Sequence, residues 1–226
     1  MWSRFAAERA FNNGRALTLA DADRTNQTLA AYFPDVVSPP SADPKTIAAW
    51  FDKLIEEHIE RRRSLIVDFG GGDLVLKTVA KEIPLVTFIE EHGIMPVALY
   101  FVGPDPDDAA YLVSMERDKL FAPKATIIVF NEYSVPDHMP EAEAFDQTVF
   151  MHPVIAQVLD RGGEIVRMPT LRAAHEIDRR RLSFFDAADG KTKGGLPPLG
   201  LMDRQRTATW LRQMEESFAT VRHWLP

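Results

Sequence analysis

Five short apolar runs, separated by segments with helical periodicity, constrain the fold of this chain more than any other feature. The runs are RALTLAD (15–21), SLIVDFG (64–70), IMPVALYFVG (94–103), ATIIVFNEY (125–133) and GEIVRMP (163–169). Their apolar residues are continuous rather than alternating, as expected of parallel strands that are covered on both faces. We therefore predict an α/β protein, with a doubly wound, mostly parallel sheet and helices on both faces.

The helical segments have clear ends. Asp43 is placed to be the N-cap of one helix, with Pro44 as its first helical residue. A first helix is predicted before Gly14, and an amphipathic C-terminal helix is predicted over residues 203–224. The apolar stripe of that last helix, which we expect to pack on its own domain, consists of Trp210, Leu211, Met214, Phe218 and Val221. We expect one α/β domain over residues 1–226.

The composition argues against several classes of protein. The net charge of −7 over 226 residues argues against a surface coated with basic residues for nucleic acid. The chain has no cysteine, which excludes disulfides and thiolate metal sites and fits a reducing compartment. No apolar run approaches the roughly 20 residues of a membrane-spanning helix, and the first residues do not form a signal peptide. We expect a cytoplasmic protein that is not bound to a membrane.

The segment SLIVDFGGGDLV (64–75) places Asp68 at the end of a strand, before three glycines. The other kinase motifs and the dinucleotide spacing G-x-G-x-x-G are both missing, so neither explains this segment. Ligands bind at the carboxyl ends of strands in open α/β sheets. There Asp68 could hold a hydrated Mg²⁺ while a glycine admits a phosphate. The alternative interpretation, a glycine-rich turn in which Asp68 only caps the next helix, stays open.

Asp21 and Asp23 end another strand, in the segment LTLADADRTNQTLAAYFPD. Together with Asp68 and Gly71 they resemble the ParA/MinD group of deviant P-loop ATPases, whose strands end Asp-x-Asp-x-x-Asn and then Asp-x-x-Gly. ADADRTNQTLAAYF is especially similar to the StbB-like proteins of plasmids and conjugative elements. IIVFNEY and EIVRMPTLRAAHEIDRRRLSFFDA are similar to later strands of the family. The resemblance covers residues 1 to about 190.

The resemblance implies an ATP- and Mg²⁺-dependent ATPase that acts in plasmid or mobile-element partition, conjugation support or intracellular positioning. Asp23 would orient the attacking water, Asp21 would support it through the metal shell, and Asp68 would hold Mg²⁺ through water. The residues implied to bind the nucleotide are Gly71 at the γ-phosphate, Asn131 at the base, and Pro169. For Asn131, the alternative that it simply starts a turn at the end of a strand stays open.

One part of the family's pattern is absent from the sequence. No G-x-x-x-x-G-K-[ST] phosphate loop occurs in the chain. MWSRFAAERAFNNG is similar to the helix that follows that loop in the family. We therefore expect a truncated or remnant ATPase that is inactive over residues 1–226, whose first strand and phosphate loop would precede Met1. Without that strand, two neighbouring strands would face a gap about one strand wide.

Two other functions stay open. Asp21-Ala22-Asp23-Arg24-Thr25 also fits the nucleophile strand of haloacid-dehalogenase phosphatases, in which Asp21 would be phosphorylated and Asp23 would be the acid and base. That hypothesis leaves DFGGGD and FNEY unexplained. The other alternative is a nucleotide-free adaptor that uses the ATPase fold as a binding surface.

The resemblance also implies partners. A homodimer is expected, together with a partner protein of partition or conjugation. The basic run DRRR (178–181) could make weak, non-specific contacts with DNA phosphates, although an exposed helix end explains it as well.

Overall fold

The computed structural model describes residues 1–23, 27–70 and 74–226. In these ranges all five predicted strands are present: β1 (Leu17–Asp21), β2 (Ser64–Asp68), β3 (Val97–Val102), β4 (Ala125–Asn131) and β5 (Glu164–Met168). The α-helices of the same ranges are α1 (Trp2–Asn12), α2 (Pro44–Arg61), α3 (Val75–Glu82), α4 (Leu85–Glu91), α5 (Ala110–Arg117), α6 (Glu141–Met151), α7 (Pro153–Asp160), α8 (Ala174–Arg180), α9 (Phe184–Ala188) and α10 (Leu201–Ser217). None of these described helices is long and apolar enough to cross a membrane.

The strands pair in two parallel sheets. β1 pairs with β2, and β3, β4 and β5 form a second sheet in that order. The α/β class and the parallel strand direction are therefore confirmed. The sequence predicts one sheet, whereas the described strands form two. An apolar run identifies a strand but not its neighbour, because the hydrogen-bonding partners of parallel strands are far apart in the chain.

The chain divides into two compact units. The first unit comprises Met1–Ile94, Ala173–Ala208 and Leu225–Pro226, and the second comprises Met95–Arg172 and Thr209–Trp224. The first unit thus contains the β1–β2 sheet and the second contains the β3–β4–β5 sheet. A single domain over residues 1–226 stays a prediction.

In the first unit, α1 and α2 cover the core with the faces that the sequence indicates. The buried apolar side chains of the two helices are Trp2, Phe5, Ala6, Ala7, Ala10, Ile47, Phe51 and Leu54. The carboxylate of Asp43 caps α2 by accepting the Thr46 N–H at 2.9 Å, and Pro44 follows as the first helical residue. The chain turns after α1 at Gly14, whose φ is +69°, a conformation that favours glycine. Both predicted helix ends are confirmed.

In the second unit, β4 is the central strand and is buried from residue 125 to residue 130. The C-terminal segment packs on the same unit through most of the predicted stripe. The Trp210 Nε1–H donates to the Pro169 carbonyl at 2.8 Å, which satisfies its one polar group. Leu211 is half-buried, and the fully buried members are Trp210, Met214, Phe218 and Val221.

Candidate functional site

The carboxyl ends of β1 and β2 bring two acidic residues together. In the parallel register Asp21 is directly opposite Asp68, and the Ala22 N–H donates to the Asp68 backbone carbonyl at 2.8 Å. Asp21 and Asp68, each predicted to end a strand, thus end two adjacent parallel strands. Both therefore lie at the edge of the sheet where α/β proteins bind ligands. We call Asp21, Asp23 and Asp68 the carboxylate site.

Asp21 is the buried member of the carboxylate site, with 2% of its surface exposed. Its Oδ1 accepts the Asp23 N–H and its Oδ2 accepts the Leu29 N–H, both at 3.2 Å. Burial raises the pKa of Asp21, the two N–H donors lower it, and the nearby Asp68 and Asp23 carboxylates raise it further. Asp21 thus contacts the backbone at both Asp23 and Leu29.

Asp23 lies against the turn that follows β2. Gly70 has a φ of +63°, and a Cβ built on it would lie 2.4 Å from both the Cγ and the Oδ2 of Asp23. The Gly70 N–H donates to Asp68 Oδ1 at 3.3 Å. A glycine is therefore required at residue 70 both for its backbone conformation and for the close approach of Asp23. This contact brings Asp23 to the same turn as Asp68.

Ser3 is a further member of the site that sequence reasoning missed. Its hydroxyl donates to Asp68 Oδ2 at 2.8 Å. Ser3 lies in the first turn of α1, so the N-terminal end of this helix is fixed at the end of β2. Serine is common in the first turn of a helix, so nothing in the sequence singles out Ser3. The 2.8 Å distance between its hydroxyl and Asp68 Oδ2 identifies it.

Gly71, predicted to contact the γ-phosphate, lies outside the described residues. The motif residues Arg24, Thr25 and Asn26 also lie outside them. Among the residues that are described, no group of three or more His, Asp or Glu side chains is arranged to hold a metal ion. Mg²⁺ is commonly bound by one or two carboxylates completed by substrate phosphates and waters. Asp68 and Asp23 are the two half-buried carboxylates of the site.

The two predicted nucleotide-binding residues of the second unit have structural hydrogen bonds. Asn131 Oδ1 accepts the Tyr133 N–H at 3.3 Å, so this side chain starts the turn after β4. The Pro169 carbonyl accepts the Trp210 indole N–H. Asn131 and Met168 are register partners at the ends of β4 and β5, which places Asn131 and Pro169 at one edge of their sheet. Their roles in nucleotide binding stay predictions.

A cavity of about 270 Å³ lies beside these residues. Its lining comes from β5, α6, α10 and adjoining turns, and consists of Glu132, Glu141, Arg167, Pro169, Gln213, Glu216 and Ser217. Arg167 Nε lies 2.9 Å from Glu132 Oε1. Burial raises the pKa of Glu132, Glu141 adds to this, and Arg167 opposes it. Sequence reasoning missed the cavity because its residues are far apart in the chain.

The basic run at residues 178–181 makes contacts within the protein. Arg179 Nη2 is 3.0 Å from Glu176 Oε2, and Arg180 pairs with the same oxygen. Hydrogen bonds from Arg180 and Arg179 lower the pKa of Glu176 to about 2. Asp178 faces the Arg4 guanidinium at 2.8 Å. Contact of this run with DNA stays a prediction.

The fold and the site together define an α/β protein with a carboxylate cluster at the carboxyl ends of parallel strands. We found no match between this chain and a protein-family model, a curated protein or a solved structure.

Proposed function

We propose that this chain is a ParA/MinD-like, StbB-like nucleotide-binding protein that works with Mg²⁺ and ATP in plasmid or mobile-element partition, conjugation support or intracellular positioning. The observation that carries the proposal is the register of Asp21 opposite Asp68, with Asp23 against Gly70. The resemblance requires these three acids to meet at the ends of two neighbouring parallel strands. They do so although Asp21 and Asp68 are 47 positions apart in the chain (68 − 21).

The three acids would divide the work according to their environments. Asp68 and Asp23 are half-buried, so a hydrated cation could reach their carboxylates. Asp21 is covered and accepts two backbone N–H groups, which suits a residue that shapes the loop around the cation. When bound, Mg²⁺ would offset the negative charge of the phosphates. The sequence has no phosphate loop, so we propose binding rather than turnover for these 226 residues.

The haloacid-dehalogenase alternative receives less support from the same geometry. A nucleophilic carboxylate must reach an incoming phosphorus atom, whereas Asp21 is 2% exposed and both of its oxygens accept N–H groups. Mass-spectrometric detection of a phosphoaspartate at Asp21, after incubation with acetyl phosphate, would favour that alternative.

A nucleotide-free adaptor is the second candidate, and one observation favours it. The hydrogen bonds of Asp21 and Asp68 to Leu29, Gly70 and Ser3 already stabilise these carboxylates within the protein. Such bonds suit a site that only holds loops together. In either case we propose a homodimer that binds a partition or conjugation protein, with DNA contact through residues 178–181 as a weak addition.

Binding of Mn²⁺, which replaces Mg²⁺ and is visible by electron paramagnetic resonance, tests the proposal. We expect the protein to bind Mn²⁺ more tightly with ATP present than without it. Asp68→Asn should lower the Mn²⁺ affinity about 10–100-fold, as loss of a group that supports a metal shell typically does. Asp52→Asn is the matched control, because Asp52 is an exposed acid on α2 of the same unit.

The outcomes separate the two candidates. Loss of binding in Asp68→Asn but not in Asp52→Asn supports the nucleotide-binding protein. Equal Mn²⁺ binding by both variants, or no effect of ATP on the wild-type protein, contradicts it and favours the adaptor.

A further inference from the structure

A buried arginine directly follows Ser3, the residue that donates to Asp68. Arg4, in the first turn of α1, is 5% exposed. Its Nε donates to Glu8 Oε1 and its Nη1 to Asp178 Oδ1, each at 2.8 Å. Its Nη2 donates to the backbone carbonyl of Leu182. The guanidinium therefore joins α1 to α8 and to the segment between α8 and α9.

Two aromatic rings contact the same guanidinium. Arg4 Cζ is 3.7 Å from the ring centroid of Tyr32 and 4.0 Å from that of Phe184. The Tyr32 hydroxyl donates to Asp178 Oδ1 at 2.7 Å, the oxygen that Arg4 also contacts. Burial, followed by this hydrogen bond, raises the pKa of Tyr32 to about 12, so the hydroxyl remains a donor. Arg4 thereby fixes the position of Tyr32.

Tyr32 belongs to the short turn that binds Asp21. The Tyr32 N–H donates to the Leu29 carbonyl at 2.9 Å, and the Leu29 N–H donates to Asp21 Oδ2 at 3.2 Å. Ser3, the residue before Arg4, donates to Asp68. The first turn of α1 is therefore connected to Asp68 directly and to Asp21 through the turn at residues 29–32.

The composition of this cluster suits a positioning role. A buried ion pair often contributes no more to stability than apolar side chains of similar volume. Guanidinium groups, however, offer several donors in one plane together with two faces for aromatic rings. A guanidinium can therefore fix an aromatic ring on its face while it donates hydrogen bonds to several acceptors.

We propose that Arg4 is a positioning residue of the carboxylate site, which sets the Leu29 N–H on Asp21 by holding Tyr32 and thereby couples ligand binding at the site to α8 and α9. The coupling to ligand rests on the proposed function. The structural connection from Arg4 to Leu29 does not rest on the proposed function, and it is measured separately. Because coupling between two sites is reciprocal, a ligand at the carboxylate site should also stabilise the contacts around Arg4.

The test is a pair of variants, with amide hydrogen exchange of Leu29 as the first readout. Arg4→Met combined with Glu8→Gln removes the guanidinium without leaving a buried carboxylate unpaired. We expect the exchange of Leu29 to become at least about tenfold faster, the effect of losing a charged hydrogen bond. Tyr32→Phe keeps the ring and removes only the hydroxyl, so it is expected to accelerate exchange about three- to tenfold. The single variant keeps the test valid if the double variant does not fold.

The matched control is Arg161→Met combined with Glu116→Gln, which removes a similar ion pair from the second unit. This control should leave the exchange of Leu29 and the Mn²⁺ affinity unchanged. The Arg4 variants should lower the Mn²⁺ affinity in the presence of ATP about tenfold. In the wild-type protein, Mg²⁺ and ATP should slow exchange of the Phe184 N–H, which donates to Glu8 Oε2 at 2.6 Å.

Three results would overturn the inference. The first is that the amide exchange of Leu29 is unchanged in both Tyr32→Phe and the Arg4 variant. The second is that the Arg161 control accelerates Leu29 exchange as much as the Arg4 variant does. The third is that Leu29 exchanges faster in the Arg4 variants but their Mn²⁺ affinity is unchanged. If the wild-type protein binds no Mn²⁺ with ATP, the proposed function and the coupling to ligand fail. The exchange of Leu29 then still decides whether Arg4 positions the turn.

Discussion

Replacing Gly70 with alanine tests the contact that brings Asp23 to the turn after β2. The built Cβ lies 2.4 Å from Asp23 Cγ and 2.9 Å from Asp23 Cβ, whereas ordinary contacts begin at 3.4 Å. Asp23 must therefore move by about 1 Å to restore an ordinary contact, and forced shifts of this kind destabilise a packed site. Because Asp23 Cβ is also too close, rotation of the carboxylate alone does not relieve the clash.

The cost of this substitution has two parts. A left-handed backbone costs an alanine about 1–2 kcal/mol, since φ at Gly70 is +63°. Displacing Asp23 adds about 1–3 kcal/mol. Gly14→Ala separates the two parts, because Gly14 has a φ of +69° and nothing within 4 Å of its built Cβ. Only the backbone cost applies there.

Urea unfolding of both variants gives the free energies of unfolding that the comparison needs. We expect Gly70→Ala to be less stable than Gly14→Ala by about 1–3 kcal/mol. Adding Asp23→Ala to Gly70→Ala should remove most of this difference. Equal stability of the two glycine variants, within about 0.5 kcal/mol, would show that Asp23 does not lie against Gly70.

Two further predictions concern other parts of the chain. Trp210→Phe leaves the Pro169 carbonyl without its indole donor and should lower the free energy of unfolding by about 1–3 kcal/mol. Trp224→Phe, at a half-buried residue, is the control, and equal losses in calorimetry would contradict the reasoning. The lowered pKa of Glu176, from 4.5 to about 2, means that its ion pairs stabilise the protein above pH 4.5 and are lost as the pH falls towards 2. Carbon-13 NMR should show this titration, and Arg180→Gln should move it upward; a Glu176 titration near 4.5 in the wild-type protein would refute it.

The elements that the sequence predicts correctly are those that depend on local patterns. The five strands follow from continuous apolar runs, and the start of α2 follows from Asp43 and Pro44. The buried stripe of Trp210, Met214, Phe218 and Val221 follows from apolar residues three or four apart, although α10 ends at Ser217 and not at the predicted residue 224. In each case the physical cause lies within a few residues of the feature, so the sequence is sufficient.

The acidic residues at the strand ends are only partly predictable from the sequence. The sequence shows that Asp21 and Asp68 each follow an apolar run, and the resemblance indicates that they belong to one site. Their direct opposition requires β1 and β2 to be neighbours with this register. The nucleotide-binding roles of Asn131 and Pro169 stay predictions, as do those of the three acids.

The tertiary structure alone decided which side chains surround these acids. Ser3 reaches Asp68, and Arg4 meets Asp178 and Tyr32, only because distant segments pack together. The separation of the strands into two sheets is likewise a matter of which strands pair. These features depend on contacts between residues far apart in the chain. The free energies of such contacts cannot be inferred from a local sequence pattern. Apolar periodicity determines where strands and helices form, and packing determines which of their polar groups meet.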